Sequence, residues 1–214
     1  MIDPCSPATP GAYPSDCEIT EGYRTLARER TQRSDGSRED LLVREKAKDI
    51  QILLLDVDGV MTDGTIHYGG GEDEGKRFHT QDGFGLRLLQ EAGIDAGLIT
   101  ARRSEAVARR ASELKLRYTF QGSSNKLTTL NEILKTSGFR PYQIAYMGDD
   151  WLDLCLLSRV GLALAPANAV AAVKEIAHYV TARPGGAGAV REACELILEA
   201  KGLLAGLLQR YMSR

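Results

Sequence analysis

Apolar positions in this chain follow two rhythms that alternate along its length. One is a short unbroken run, as in "DIQILLLDV" at residues 49–57; the other is a longer amphipathic stretch, as in "NKLTTLNEILKTSG" at residues 125–138. An unbroken run of strand length predicts a strand buried on both faces, and apolar returns every three or four residues predict a helix. Strands are accordingly predicted at residues 49–57, 94–100, 117–122, 143–148, 161–165 and 178–182. Helices are predicted at residues 83–93, 103–115, 125–138, 150–161, 168–177 and 187–209, with Gly93 and Gly138 as stops. Strand and helix units in alternation imply a parallel sheet with helices on both faces, an α/β fold of the doubly wound, Rossmann-like kind.

One segment breaks the rhythm. Between Gly64 and Gly83 lies "TIHYGGGEDEGKRFHTQD", in which "TIHY" and "KRFHT" flank a glycine-rich acidic tip. The flanks suit short strands and the tip suits a turn, so residues 64–82 predict a β-hairpin inserted after the first strand. A hairpin leaving that point can fold over whatever lies at the strand's carboxyl end. Residues 1–48 are predicted as an extension: residues 1–20 hold four of the seven prolines and read as a flexible tail, and residues 21–48 are highly charged, with weak helical stretches around 21–31 and 38–48. The folded domain is placed at residues 49–214, with a glycine-rich loop and final helix at 184–209.

Composition narrows the class without naming a chemistry. At 43% hydrophobic and 26% charged, the 214 residues read as an ordinary water-soluble globular protein. A net charge of −2 gives no reason to expect nucleic acid or an anionic membrane as partner. The cysteine usage gives the expectation of the reducing cytoplasm; no run is long enough for a membrane span, and the start lacks a signal-peptide layout. Cys5, Cys17, Cys155 and Cys194 show no Cys-x-x-Cys spacing, and Cys155 and Cys194 fall in apolar helical stretches where a small buried thiol fits.

The chemistry lies where strands end. In a doubly wound sheet, ligands bind outside the carboxyl ends of the strands. The first strand runs into Asp56 and Asp58, the second ends at Thr100, the loop after the third leads to Lys126, and the fourth ends at Asp149 and Asp150. Carboxylates crowded at one rim repel each other, and a divalent cation removes the repulsion. Without a Cys/His cluster, oxygen-seeking Mg²⁺ suits the set better than Zn²⁺. Lys126 and Thr100 can bind phosphate oxygens, Asp56 can attack phosphorus, and Asp58 can serve as acid and base, which together describe phosphoryl transfer. Each piece has a plainer reading alone: Asp58-Gly59 as a turn, Thr100 as a helix cap, Asp149, Asp150 and Asp153 as helix-start acids. Their convergence on one sheet end is what favours catalysis. His67, His79 and His178 are isolated and are read as non-ligands, and Trp151 as a packing residue. "GGAGAVRE" at 185–192 fails the spacing of a dinucleotide loop and is also read as a flexible lead into a helix.

These residues closely resemble the haloacid dehalogenase phosphatase superfamily, in its cap-less subclass. "DVDGVMT" (56–62) resembles the first motif, with Asp56 as nucleophile and Asp58 as acid/base; Thr100 in "LITAR" the second; Lys126 in "QGSSNKL" the third; "GDDWLD" (148–153) the fourth. Within the superfamily, "DVDGVMTDG", "FHTQDGFG", "QGSSNKL" and "GGAGAVRE" resemble the 3-deoxy-D-manno-octulosonate 8-phosphate (KDO 8-phosphate) phosphatases. The resemblance implies a HAD-like fold without a cap domain and Mg²⁺ held by Asp56, the Asp58 carbonyl and Asp149. It implies that Asp150 and Asp153 support the loop and Lys126, and that Arg102 meets a sugar-acid carboxylate. Asp82, Gly83 and Gly186 are carried over as substrate-binding positions. The implied substrate is a phosphorylated eight-carbon sugar acid. The alternatives are a nine-carbon relative of that ester and a non-catalytic assembly module. The implied assembly is a homotetramer whose hairpins form a shared barrel. Two departures stand out: Ala101 where many relatives have Gly, and the long N-terminal extension.

Overall fold

The computed structural model describes residues 36–68 and 74–213. The expected flexible tail, the first weak helical stretch and the hairpin tip lie outside the described residues. In chain order the elements are α1 (Gly36–Lys48), β1 (Ile52–Leu55), β2 (His67–Tyr68), β3 (Glu74–Gly75), α2 (Thr80–Glu91), β4 (Asp95–Thr100), α3 (Glu105–Glu113) and β5 (Tyr118–Gln121). There follow α4 (Lys126–Ser137), β6 (Ile144–Met147), α5 (Leu154–Leu157), β7 (Leu162–Ala165), α6 (Ala171–Ile176), β8 (Tyr179–Val180), α7 (Ala189–Ala200) and α8 (Leu204–Met212).

Six strands form one sheet in the order β5-β4-β1-β6-β7-β8, and every pair is parallel. The chain builds outward from β1 to β4 and β5, then returns to the other side for β6, β7 and β8. The reversal leaves β1 at the centre with β4 and β6 as neighbours, so their carboxyl ends share a crevice. The strand residues alternate between two cores. Leu53 and Leu55 face α1, α2, α3 and α7, whereas Ile52 and Leu54 face α4, α5 and α6. All four are fully buried, which explains why β1 has no polar side.

Three boundaries differ from the expectation. The folded body begins before residue 49, because Val43 and Ala47 of α1 are buried in the core shared with α7. The segment expected as one helix over 150–161 is a 3₁₀ turn, Trp151–Asp153, followed by the four residues of α5. The acids at its start hold loop backbone instead of extending the helix. The final helix splits at Gly202, whose φ of +69° ends α7. The Gly202 and Leu203 N–H groups donate back to Glu199 O (2.9 Å) and Leu198 O (2.8 Å), a Schellman closure.

The inserted hairpin is present: β2 pairs antiparallel with β3, His67 opposite Gly75. Cys194 is buried and Cys155 half-buried, both as free thiols; Cys5 and Cys17 lie outside the described residues. His178 is tied to the sheet, its Nδ1 accepting from the Ala163 N–H at 2.9 Å. No described helix is long and apolar enough to cross a membrane.

Candidate active site

Asp56 directly follows β1 and continues the side occupied by Ile52 and Leu54. That side carries α4 and Tyr146, so the carboxylate meets Lys126 at the start of α4. Lys126 Nζ donates to Asp56 Oδ1 at 2.7 Å, to Asp153 Oδ1 at 2.6 Å and to the Tyr146 hydroxyl at 3.1 Å. Asn125 caps α4, its side chain accepting from the Thr128 N–H at 3.1 Å, which fixes the turn that presents Lys126.

Asp153 is the organiser. Its Oδ1 also accepts from the Tyr146 hydroxyl at 2.6 Å, and its Oδ2 accepts from the backbone N–H groups of Asp149 (2.9 Å) and Asp150 (3.2 Å). The carboxylate therefore has four described donors at 1% exposure. It stitches the loop after β6 to Lys126. Asp150 accepts from the Trp151 N–H at 2.7 Å and closes the 3₁₀ turn.

The loop after β1 is wound about one carbonyl. Val57 O accepts from the N–H groups of Val60 (3.3 Å), Met61 (2.9 Å) and Thr62 (3.1 Å), and from Thr62 Oγ1 at 3.3 Å. This turn places Asp58 on the cleft at about one-fifth exposure. Asp58 Oδ1 accepts from Lys76 Nζ, and its Oδ2 lies 3.9 Å from Arg102 Nε. Thr100, 3% exposed, closes β4, and its Oγ1 accepts from the Arg102 N–H at 3.3 Å.

A cleft of roughly 250 Å³ joins these groups, lined among others by Asp56, Asp58, Thr100, Arg102, Lys126 and Asp149. That volume suits a phosphoryl group and the near part of its ester. It falls below the range of about 300–1,000 Å³ typical of pockets for drug-sized ligands.

The electrostatics ask for a cation. Burial first, then the charges of Asp56, Asp153 and Asp150, push the Asp149 carboxyl up to about 7. Burial also raises Asp56, to about 6, against the opposing pull of Lys126. For Lys126 burial works downward, but Asp56 and Asp153 outweigh it and raise its pKa. Carboxylate oxygens of Asp56, Asp149 and Asp153 can lie within 4.8 Å of one another. Asp153 is already saturated with donors, whereas among the described residues no hydrogen bond engages the Asp149 carboxylate. An all-oxygen set with one unengaged carboxylate fits a hard divalent cation such as Mg²⁺.

Asp56, Asp58, Thr100, Lys126, Asp149, Asp150, Asp153 and Arg102 thus meet at one cleft. Asp82, Gly83 and Gly186 do not line it. Asp82 accepts from the N–H groups of Arg191 (2.8 Å) and Gly188 (3.3 Å), so both its oxygens are engaged at the start of α7. Gly83 lies beneath Arg110 and Leu114. Gly186 packs on the loop after β1: its N–H donates to Val60 O at 3.0 Å, and a Cβ there would stand 2.5 Å from Asp63 N. Asp82 thus holds the start of α7, and Gly186 the loop after β1. The glycine-rich segment leads into α7, with Gly188 at its N-cap, and also clamps the loop after β1. Trp151 is 70% exposed, so it is not the packing residue expected.

Three contributors escaped the sequence. Tyr146 braces Lys126 and Asp153, and Lys76 reaches Asp58 from the hairpin. Asn168 bridges the loops: its Nδ2 donates to Gly59 O at 3.0 Å, and its Oδ1 accepts from the Gly185 N–H at 2.7 Å. Only Tyr146 left a trace, a hydroxyl inside an otherwise apolar strand next to the acidic loop.

Comparison with known proteins places this geometry among relatives. The haloacid dehalogenase-like hydrolase family model matches residues 119–191. A 3-deoxy-D-manno-octulosonate 8-phosphate phosphatase of Yersinia pestis is 44% identical over 162 residues, 76% of this chain and 87% of that protein. The crystal structure of the Yersinia pestis phosphatase superposes with a TM-score of 0.76, covering 77% of this chain and 89% of that one, at 44% identity. The Moraxella catarrhalis phosphatase of the same name, solved with magnesium, phosphate and KDO, superposes with a TM-score of 0.77 at 38% identity, covering 79% of this chain and 97% of that one.

Proposed function

The chain belongs to the KDO 8-phosphate phosphatase family of haloacid dehalogenase-like hydrolases, and on that footing we propose that it hydrolyses KDO 8-phosphate to KDO and phosphate. It is a phosphoric monoester hydrolase that uses Mg²⁺, acting in the supply of a lipopolysaccharide precursor. The observation that carries the reading is the convergence of Asp56, Asp58, Lys126 and Asp149 on one cleft.

Each residue then has a role. The carboxylates of Asp56 and Asp149 and the main-chain carbonyl of Asp58 would hold the magnesium ion, which supplies charge neutralisation for the phosphoryl group. Lys126 and Thr100 bind phosphoryl oxygens and orient the phosphorus toward Asp56. An Asp56 oxygen bonds to phosphorus as the bond to the sugar oxygen breaks, and Asp58 gives that oxygen a proton. Water then attacks the aspartyl-phosphate, Asp58 takes the water's proton, and the Asp56–phosphorus bond breaks to free phosphate. Asp150 and Asp153 keep the β6 loop and Lys126 in place. Arg102, exposed on the cleft and planar, suits the carboxylate of the sugar acid.

The finer picture is a homotetramer in the cytoplasm, built through the hairpins. The projecting β2–β3 pair and the free thiols of Cys155 and Cys194 support it. Phosphate release from eight- and nine-carbon 2-keto-3-deoxy sugar-acid phosphates, with and without Mg²⁺, tests the substrate. Magnesium-dependent release from the eight-carbon ester is expected. Activity on the nine-carbon ester alone would select that relative, and no turnover on either would point to an assembly module.

A further inference from the structure

Lys76 follows β3 at the foot of the hairpin, yet its side chain is only 2% exposed. Its ammonium sits against Asp58 Oδ1, 18 residues back along the chain. A lysine buried at the base of a surface hairpin is costly unless its charge is met. Asp58 meets it, and the pairing fixes which way the Asp58 carboxylate faces.

Among the described residues, two cations approach Asp58, each at a different oxygen. Arg102, with its side chain 41% exposed, lines the cleft and approaches Oδ2. Lys76 does not line the cleft and holds Oδ1. One oxygen is thus tied to the hairpin, and the other is left toward the space where the ester lies.

We propose that Lys76 is a positioning residue for the acid–base step: by holding Oδ1 it orients Asp58 so that Oδ2 meets the leaving oxygen. This rests on the reading of Asp58 as acid and base. A short loop aspartate without such a partner has several staggered side-chain positions open to it. Proton transfer needs the oxygen within about 2.6–3.2 Å of its target, and a misplacement of about 1 Å can cost roughly 100-fold in rate. Through Lys76 the hairpin thereby belongs to the catalytic apparatus, and its packing and the chemistry become linked.

The leaving group provides the test. A sugar alkoxide needs a proton to depart; p-nitrophenolate does not. Single-turnover rates with enzyme in excess, on KDO 8-phosphate and on p-nitrophenyl phosphate, isolate the first half-reaction. Lys76→Met is expected to slow the sugar ester about 10- to 100-fold and the nitrophenyl ester less than about 3-fold, with sugar-ester affinity within about 3-fold of the parent. Lys76→Arg is expected to recover part of the loss, and the retained nitrophenyl reaction reports a folded site. Equal losses on both esters, a loss confined to KM, or no loss would overturn the proposal. Asp58→Asn, measured in parallel, separates the two claims. If it turns over the sugar ester like the parent, the acid–base reading itself fails. If it is inactive there while Lys76→Met is unaffected, only the role of Lys76 fails.

Discussion

Asp149 fills the space that a side chain at Gly59 would need: a Cβ built on Gly59 overlaps the Asp149 carboxylate. Gly59 also has a φ of +87°, a conformation L side chains rarely adopt. The loop after β1 and the loop after β6 close on each other because the residue following Asp58 is the smallest available. Gly59→Ala should therefore combine backbone strain of about 1–3 kcal/mol with a displaced Asp149. The expected outcome is a folded protein needing at least about 10-fold more Mg²⁺ for half-maximal phosphate release. Magnesium titrations of the two proteins check it; coincident curves would contradict it.

Lys126→Met should be costly in two separate ways. It leaves the carboxylates of Asp56 and Asp153 buried and facing each other without their shared cation. Removing one partner from a buried ion pair costs about 3–5 kcal/mol, and losing a charge aimed at the phosphoryl group should lower turnover by roughly 100- to 1,000-fold. Urea unfolding and phosphate release measure the two losses. Adding Asp153→Asn to this variant should restore part of the stability, because it removes one of two like charges, and should leave turnover low.

The Mg²⁺-free protein should lose stability as pH rises from 5 to 7.5. Asp149 holds its proton up to about 7 in the folded state, mainly because it is buried, whereas an unfolded aspartate releases it near 3.9. Between those values the native state binds more protons than the unfolded state, so its stability falls with rising pH. Melting temperatures in a chelating buffer should decline across this window, and Asp149→Asn should flatten the decline. Saturating Mg²⁺ should lift stability most at the upper end of the window, where the carboxylate is ionised.

Asn168→Ala should loosen the clamp between the glycine segment and the catalytic loop. The substitution leaves Gly59 O and the Gly185 N–H without the amide that bridges them. Asn168 is exposed, so water can stand in for part of the amide; the stability loss should be about 1 kcal/mol, and a shifted Asp58 loop should lower kcat by about 10-fold or more. Asn168→Asp removes only the donor to Gly59 O and should retain more of the stability. Denaturant midpoints and steady-state kinetics on both variants rank them; an unperturbed kcat in Asn168→Ala would show that the clamp does not position the loop.

Light scattering on the purified protein should give the mass of four chains if the hairpins form the proposed intersubunit barrel. A fully active monomer would exclude that assembly.

The fold was legible because its signals are local and redundant. Four aliphatic residues ending in Asp56 fit a strand buried on both faces, and the alternation of such runs with amphipathic stretches leaves few topologies. The helix end at Gly138 and the start at Asn125 followed from backbone chemistry within a few residues. Boundaries failed where a long-range contact overrode local pattern. The weak apolar stripe of α1 proved sufficient once Val43 and Ala47 met α7. The acids from Asp149 to Asp153 were spent on holding a loop and Lys126 instead of starting a helix.

By itself the sequence determined that Asp56, Asp58, Thr100, Lys126 and Asp149 would meet, because strand ends in a parallel sheet converge whatever the loops do. Only the tertiary structure decided who supports them. Lys76, Tyr146 and Asn168 carry no motif; each acts through a hydrogen bond or ion pair to a residue distant along the chain. Such pairings depend on loop paths and on the packing of one element against another, and these are set by the closed core as a whole instead of by the residues on either side.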